Sequence, residues 1–233
     1  MKSAQIDVIS VIMPAYNSEN YIQESLDSLY NQVLSIPIEI IVVNDGSTDK
    51  TADILLSQGN KIKVITQDNL GAVRAKNAGF RKASGNFICS LDSDDLYLST
   101  KLDQQWKFLK EHLEYDMVFC KIKQFISPEL DDGTKKIPKD VEILTSMNFA
   151  GGMYRASVFE VNGYIDESIL NYGDFVDWFA KAKEKSISHS VIDEILMLRR
   201  VHDLNLGKTG THQQKKGFLK VLRAKINRSK SQD

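Results

Sequence analysis

The stretch Asp92-Ser93-Asp94-Asp95 holds the residue types with the clearest chemical potential in this chain. It follows an apolar run, residues 87–91, that predicts a short buried strand. Carboxylates crowded at the end of a strand repel one another and are tolerated when a cation lies between them. Two aspartates one residue apart therefore favour a site for Mg²⁺ or Mn²⁺, ions that usually also hold substrate phosphates. An Asp-rich turn that caps the next helix is the alternative interpretation.

Apolar runs and turn signals divide the first half of the chain into alternating strand-like and helix-like segments. Helical patterns begin at Ser18, the candidate N-cap of the first helix, at Asp49 and at Leu70. The strand-like runs are residues 8–13, which Pro14 is predicted to end, 38–43, 62–66 and 87–91. Nearly continuous apolar strands separated by helices indicate an α/β fold with a mainly parallel sheet covered by helices on both faces.

Parallel sheets of this kind bind their ligands beyond the carboxyl ends of the strands. The residues that this rule places on one rim are Pro14, Ala15, Tyr16, Asp45 and 92–94.

The second half of the chain is less regular. Its pattern predicts helices at residues 100–112 and 173–185, strands at 117–126, 187–192 and 195–201, and a loop at 127–140.

Composition excludes several classes of protein. The 233 residues have a formal net charge of −1, so the protein as a whole has no electrostatic field that would attract nucleic acid or a membrane. Cys89 and Cys120 lie in apolar runs without zinc-ligand spacing, which predicts buried, reduced thiols and a cytoplasmic protein. The N-terminal residues lack the apolar run of a signal peptide, and no stretch approaches the roughly 20 apolar residues of a membrane helix.

Four segments, in order and spacing, make the chain resemble the inverting family 2 glycosyltransferases of GT-A fold. They are residues 11–17 (VIMPAYN), 43–49 (VNDGSTD), 71–79 (GAVRAKNAG) and 91–95 (LDSDD). The resemblance implies a Rossmann-like nucleotide-binding sheet and a less regular acceptor-binding C-terminal half. It implies one domain over residues 1–205, with a nucleotide-sugar-binding half at 5–98, an acceptor-binding half at 99–205, and a basic tail at 206–233.

The resemblance also implies roles for individual residues. Pro14, Ala15 and Tyr16 would line the pocket for the base, Asp45 would accept hydrogen bonds from it, and Arg74 would face the nucleotide or its diphosphate. Asp92 would lie near the ribose and the metal, and Asn17 and Ser93 would belong to the nucleotide-binding residues. The implied ligands of a divalent cation, Mn²⁺ or Mg²⁺, are Asp92, Asp94 and His202.

Structural alternatives stay open for these residues. Pro14 could only stop a strand, Asp45 could only form a turn, and Arg74 could be a solvated helix residue. A lone histidine after a strand, such as His202, is often structural, and the neighbouring Arg199 or Arg200 could instead neutralise a diphosphate.

The catalytic base is the least determined of the implied residues. Inverting transfer needs a carboxylate that takes the proton of the acceptor hydroxyl. In the register implied by the resemblance, Asp174 takes the position of a glutamate and Phe175 replaces the usual base. Asp174 is therefore the first candidate and Asp177 the second. An altered site, or an N-cap role for Asp174, is the alternative.

The sequence thus predicts a cytoplasmic, metal-dependent transferase that moves a sugar from a UDP-sugar to a glycan, lipid-linked or other hydroxyl acceptor.

The basic segment 208–230 could form an amphipathic helix at the inner membrane face, or pack on the domain with its charges solvated. A homodimer is left open. The rival functions are a nucleotide-sugar-binding protein without transferase activity and a sugar-phosphate nucleotidyltransferase, which would need a Gly-rich phosphate loop after the first strand.

Overall fold

The computed structural model describes residues 6–130, 143–145, 147–169 and 173–202, together with the single residues 221 and 228. Within these residues one sheet is built from nine strands. The strands are β1 Ile9–Ala15, β2 Ile38–Asp45, β3 Lys63–Gln67, β4 Phe87–Ser90, β5 Leu96–Tyr97, β6 Met117–Ile126, β7 Ile143–Thr145, β8 Met153–Arg155 and β9 His189–Val201. The α-helices are α1 Ile22–Tyr30, α2 Thr51–Ser57, α3 Ala72–Lys82, α4 Lys101–Glu111, α5 Ala156–Asn162 and α6 Asp174–Glu184.

The strands lie in the order β3-β2-β1-β4-β8-β6-β9-β5, and β7 pairs with β6. The first four are parallel, as predicted, because α1, α2 and α3 supply the long crossovers that parallel neighbours require. Beyond β4 the directions are mixed. Strand β8 is antiparallel to both β4 and β6, whereas β6 and β9 are parallel. The α/β class is confirmed, with the parallel arrangement concentrated in the first half.

Two predicted strand boundaries differ from the structure. Strand β1 continues through Pro14 to Ala15. Proline is tolerated there because β4 pairs only with Ile9–Ile12, so Pro14 lies beyond the part of β1 that has strands on both sides. The two strands predicted at 187–192 and 195–201 form the single strand β9, in which Asp193 and Glu194 are a bulge opposite β6. These two charged residues interrupt the apolar pattern without ending the strand.

Two apolar cores cover the two faces of the sheet. Val11 and Met13 of β1 belong to one core and Ile12 to the other, as the alternation of side chains along a strand requires. Helix α3 approaches β1 closely, since a Cβ on Gly79 would lie 2.4 Å from Cγ2 of Ile12. This close packing fixes where the N-terminal turn of α3 meets the rim.

Both cysteines are buried, as predicted, and burial raises the pKa of the Cys89 thiol to about 11. None of the described helices is long and apolar enough to span a bilayer.

Of the predicted loop 127–140, Pro128–Leu130 form one 3₁₀ turn and residues 131–140 lie outside the described residues. Of the basic tail, Val221 is buried and Arg228 pairs with Asp177 and Glu184; the rest is outside the described residues.

Candidate active site

A cleft of about 640 Å³ opens beyond the carboxyl ends of β1 and β2 and beside the turn that follows β4. This volume is typical of small-molecule sites. Most of the residues predicted for the site line it, namely Pro14, Ala15, Tyr16, Asn17, Asp45, Asp92, Ser93, Asp94 and His202. Three predicted residues are not part of its lining: Arg74, Asp174 and Asp177.

Asp45, at the end of β2, organises one wall of the cleft. Its carboxylate accepts hydrogen bonds from the backbone N–H groups of Leu70 (2.9 Å) and Gly71 (2.8 Å) and from the Gln67 amide (2.7 Å). Two of these bonds fall on Oδ1 and one on Oδ2. Because each carboxylate oxygen can accept two hydrogen bonds, Oδ2 retains acceptor capacity toward a ligand.

The turn after β1 forms an adjoining wall. Asn17 has a left-handed backbone (φ +47°), and its side chain accepts a hydrogen bond from Thr48 N at 2.8 Å, which ties this turn to the turn after β2. Tyr16 is 48% exposed at the mouth of the cleft. Ser18 does not cap α1, because the helix begins at Ile22 and the Ser18 hydroxyl lies 2.7 Å from the hydroxyl of Ser93.

The turn at residues 92–95 presents its carboxylates unequally. The Asp92 side chain is 41% exposed and the Asp94 side chain 26% exposed, whereas Asp95 is buried. Oδ1 of Asp95 accepts a hydrogen bond from the backbone N–H of Arg200 at 2.9 Å. Burial, together with the charges of Asp94 and Asp92, raises the pKa of Asp95 well above its usual range. Asp95 thus fixes the turn at the back of the cleft, while Asp92 and Asp94 are the more exposed carboxylates of its lining.

His202 and Asp94 meet in the cleft although 108 residues separate them in sequence. Nε2 of His202 lies 2.8 Å from Oδ2 of Asp94. Neighbouring ligands around an octahedral ion with bonds of about 2.1 Å are about 3 Å apart, so this pair fits two adjacent coordination positions. Across the described residues, no three His, Cys, Asp or Glu side chains form a ready ion site. The donor set therefore fits a partial site of the kind that substrate phosphates and water complete.

Lys76, which the sequence did not single out, is a lining residue that forms an ion pair with the carboxylate turn. Its Nζ lies 3.0 Å from Oδ1 of Asp92, and its side chain is only 12% exposed. Burial works against its charge, but Asp92, followed by Asp174, outweighs burial and raises the pKa of Lys76. Lys76 is therefore a charged lysine between the carboxylate turn and the start of α6.

Arg74 faces a different direction from Lys76. Residues two apart on a helix point about 200° apart, so Ala72, Ala75 and Lys76 line the cleft while Arg74 does not. The Arg74 guanidinium lies 3.3 Å from Glu167, and its side chain is 44% exposed. A role for Arg74 at the diphosphate stays a prediction, and the geometry favours Lys76.

Comparison with known proteins shows to which family this chain belongs. The family model for glycosyl transferase family 2 matches residues 10–160, well over half of the chain.

The chain belongs to glycosyl transferase family 2.

Sequence relatives agree with this membership. An uncharacterized glycosyltransferase of Rickettsia typhi is 32% identical over 92% of this chain and 72% of its own length. Chondroitin synthase of Pasteurella multocida is 29% identical over 97% of this chain, which corresponds to 24% of the synthase. Family 2 membership makes the chain a glycosyltransferase by family and disfavours the nucleotidyltransferase alternative.

Solved structures share the fold. S. aureus TarS 1-349 in complex with UDP-GlcNAc has a TM-score of 0.71 at 25% identity, covering 91% of this chain and 65% of the TarS chain. The mannosyltransferase PcManGT of Pyrobaculum calidifontis, in complex with GDP-Man and Mn²⁺, has a TM-score of 0.68 at 18% identity over 97% of this chain and 68% of its own. The GT-A fold and the family predicted from the sequence are confirmed.

Helix α6 carries the candidate bases of this family 2 chain. Asp174 is its first residue; Gly173 holds the N-cap position, so Asp174 is not the cap. Asp177 is buried and forms ion pairs of 2.8 Å with Lys181 and with Arg228. Asp177 is only 1% exposed, whereas Asp174 is partly exposed at the start of the helix, so the geometry favours Asp174.

Phe175 packs into an aromatic cluster. Its ring centroid lies 4.9 Å from that of Phe149, 5.5 Å from Phe179 and 5.9 Å from Phe119. The position that the resemblance assigns to the usual base is therefore used for packing in this chain. The start of α6 is held against the sheet by these contacts, next to Asp174.

The signal for Lys76 was present in the sequence but ambiguous. The segment 71–79 contains two cations, and the choice between them depends on which face of α3 meets the cleft. Asn77 settles that face, since its amide donates to Ile165 O (2.9 Å) and accepts from Ile165 N (3.0 Å), fixing α3 against the second half of the chain. Arg199 lines the cleft and Arg200 is buried, as alternation along β9 requires.

Proposed function

We propose that this chain transfers a sugar from a UDP-sugar to an acceptor hydroxyl with inversion at the anomeric carbon. The observation that carries the proposal is the cleft in which the predicted nucleotide-contacting residues meet the Asp94–His202 pair. The likeness to TarS, a protein solved with UDP-GlcNAc, supports a UDP-linked donor. The acceptor is a glycan, a lipid-linked molecule or another hydroxyl compound.

The donor's nucleotide would lie between the walls formed by Asp45 and by residues 14–17. Oδ2 of Asp45 would accept a hydrogen bond from the base, and the exposed Tyr16 ring offers a stacking surface. Asp92 and Ser93 would face the ribose. Asp94 and His202, with Asp92, would hold a divalent cation, Mn²⁺ or Mg²⁺. When bound, that cation supplies positive charge opposite the departing diphosphate.

The transfer itself is a single displacement. The acceptor oxygen forms a bond to the anomeric carbon as the bond from that carbon to the diphosphate oxygen breaks, and the nucleoside diphosphate leaves with the bonding electrons. Asp174 takes the proton of the acceptor hydroxyl as general base. Lys76 supports this assignment, because it lies near both Asp92 and Asp174 and offers a fixed positive charge to the leaving diphosphate.

The first test is calorimetric titration of UDP and GDP, with and without Mn²⁺, on the wild type and on Asp94→Ala. We expect UDP binding that depends on Mn²⁺ and is lost in Asp94→Ala. A folded wild type that binds neither nucleotide would refute the donor assignment and leave only the fold.

A binding protein without transferase activity is the second candidate, and the packing of Phe175 into the aromatic cluster is the observation that favours it. Asp174→Asn separates the two functions. If the wild type turns over a UDP-sugar and Asp174→Asn binds the donor normally without turnover, the chain is an enzyme with Asp174 as its base.

The two buried, reduced thiols support a cytoplasmic location, and contact of the basic tail with the inner membrane face stays part of the proposal.

A further inference from the structure

The His202 imidazole is covered by an aromatic ring from the other end of the chain. Tyr21, the residue before α1, lines the cleft, and its ring centroid lies 4.6 Å from that of His202 with the planes tilted by 36°. The guanidinium of Arg200 lies 5.0 Å from the centroid of the same tyrosine ring. The phenol ring is therefore in contact with both the imidazole and a buried cation.

Arg200 is anchored to the carboxylate turn at several points. Its Nε donates to the backbone oxygen of Asp94 at 3.0 Å, and its own backbone N–H donates to Asp95 at 2.9 Å. The guanidinium also forms an ion pair with Glu24 of α1 and lies 3.3 Å from the hydroxyl of Ser127. Arg200 is only 3% exposed, so its contacts with the turn and with Ser127 form in a site with little competing water, whereas the Glu24 side chain is 58% exposed.

The far end of the tyrosine ring is held as well. The Tyr21 hydroxyl donates a hydrogen bond to Glu129, and the other carboxylate oxygen of Glu129 accepts one from Ser127 at 2.6 Å. The ring thus has fixed contacts on its face and at its hydroxyl. A ring held in this way restricts the rotamers open to the imidazole beside it.

We infer that Tyr21 and Arg200 are positioning residues that hold His202 against Asp94 in a geometry ready for a divalent cation. The inference rests on the proposed function, because it concerns the pair proposed to bind the metal. Contacts that orient metal ligands typically change metal affinity by about 10- to 100-fold when they are removed. Neither residue touches the ion or the reacting atoms in this scheme; both act through His202 and Asp94.

The decisive comparison uses Tyr21→Leu, which removes the ring, and Tyr21→Phe, which keeps the ring and removes the bond to Glu129. Mn²⁺ affinity is measured by calorimetry in the presence of UDP. We expect Tyr21→Leu to bind Mn²⁺ about 10- to 100-fold more weakly and Tyr21→Phe to lose less. Tyr30→Leu, which removes a tyrosine from the other end of α1, is the matched control and should bind Mn²⁺ as the wild type does.

A metal-free measurement keeps this inference separable from the proposed function. NMR relaxation of the His202 ring, and its contacts with Tyr21, can be recorded on the wild type and on Tyr21→Leu without added ions. We expect an ordered imidazole in the wild type and a mobile one in Tyr21→Leu. If the wild type binds no Mn²⁺, the proposed metal site fails, whereas equal order of His202 in both proteins overturns the positioning role.

Arg200→Lys tests the second positioning residue. Lysine retains a positive charge opposite Glu24 but loses the planar guanidinium that bonds to Asp94 O and lies over Tyr21. Weaker Mn²⁺ binding, with unchanged UDP affinity at saturating Mn²⁺, is the expected result. A folded Arg200→Lys variant with wild-type Mn²⁺ affinity and an ordered His202 would overturn the role of Arg200.

Discussion

Replacing Lys76 by methionine should impair donor use far more than the same change at Arg74. Methionine keeps much of the length and apolar volume of both side chains and removes only the charge. Lys76 lies 3.0 Å from Asp92 in the cleft with 12% of its side chain exposed, whereas Arg74 pairs with Glu167 at 3.3 Å with 44% exposed. Both variants replace a cation of helix α3 by methionine, and they differ only in the face of the helix on which that cation lies.

The structure sets the size of the expected difference. Two unit charges 3 Å apart attract by about 5.5 kcal/mol at an effective dielectric constant of 20, and the net contribution of the Lys76–Asp92 pair is smaller because Asp92 is 41% exposed. A hydrogen bond to a charged group contributes about 1.5–3 kcal/mol net, or about 10- to 150-fold in affinity. An exposed pair such as Arg74–Glu167 contributes about 0–1 kcal/mol. Lys76→Met should therefore lower kcat/KM for the donor by about 10- to 150-fold, and Arg74→Met by less than about fivefold.

The assay is steady-state release of UDP from the donor by the wild type and both variants, with thermal unfolding as the control for folding. A folded Arg74→Met that loses as much kcat/KM as Lys76→Met would refute the assignment of the cleft face of α3. Wild-type kinetics in Lys76→Met would refute the role proposed for that charge.

Three further predictions concern the base, the pH dependence of stability and the packing of α3. Asp174→Asn should lower kcat by about 10²- to 10⁴-fold with donor affinity in calorimetry unchanged, and an active variant would exclude Asp174 as base. Partial burial works against the charge of Glu39, but hydrogen bonds led by that from Lys63 lower its pKa to about 2 from 4.5. Because the Lys63 side chain is 67% exposed, solvent screening reduces the linked free energy to about 1–2 kcal/mol. The folded pKa is depressed, so Glu39→Gln should cost this amount in urea unfolding above pH 5, a difference that fades as pH falls from about 4.5 toward 2. A cost that does not depend on pH would contradict this. Gly79→Ala places a Cβ 2.4 Å from Ile12 and should destabilise by about 1–3 kcal/mol in the same assay, so unchanged stability would contradict the close packing of α3 on β1.

Much of the nucleotide-binding half could be predicted from the sequence because its signals are local. Apolar runs, their lengths and the turn residues between them predicted β1 to β4 to within a few residues. The rule that ligands bind at the carboxyl ends of parallel strands then indicated the rim where Asp45 and the 92–95 turn lie. Four motifs in register indicated the family, which the comparison with known proteins confirms.

Tertiary structure decided which of two cations close in sequence faces the cleft. Lys76 rather than Arg74, and Arg199 rather than Arg200, line it, because orientation on a helix or strand depends on where that element packs. The contact between His202 and Asp94 spans 108 residues, and the ring of Tyr21 reaches them from the start of α1. Local sequence patterns specify elements and their ends, but such contacts form only when distant elements pack together in one sheet.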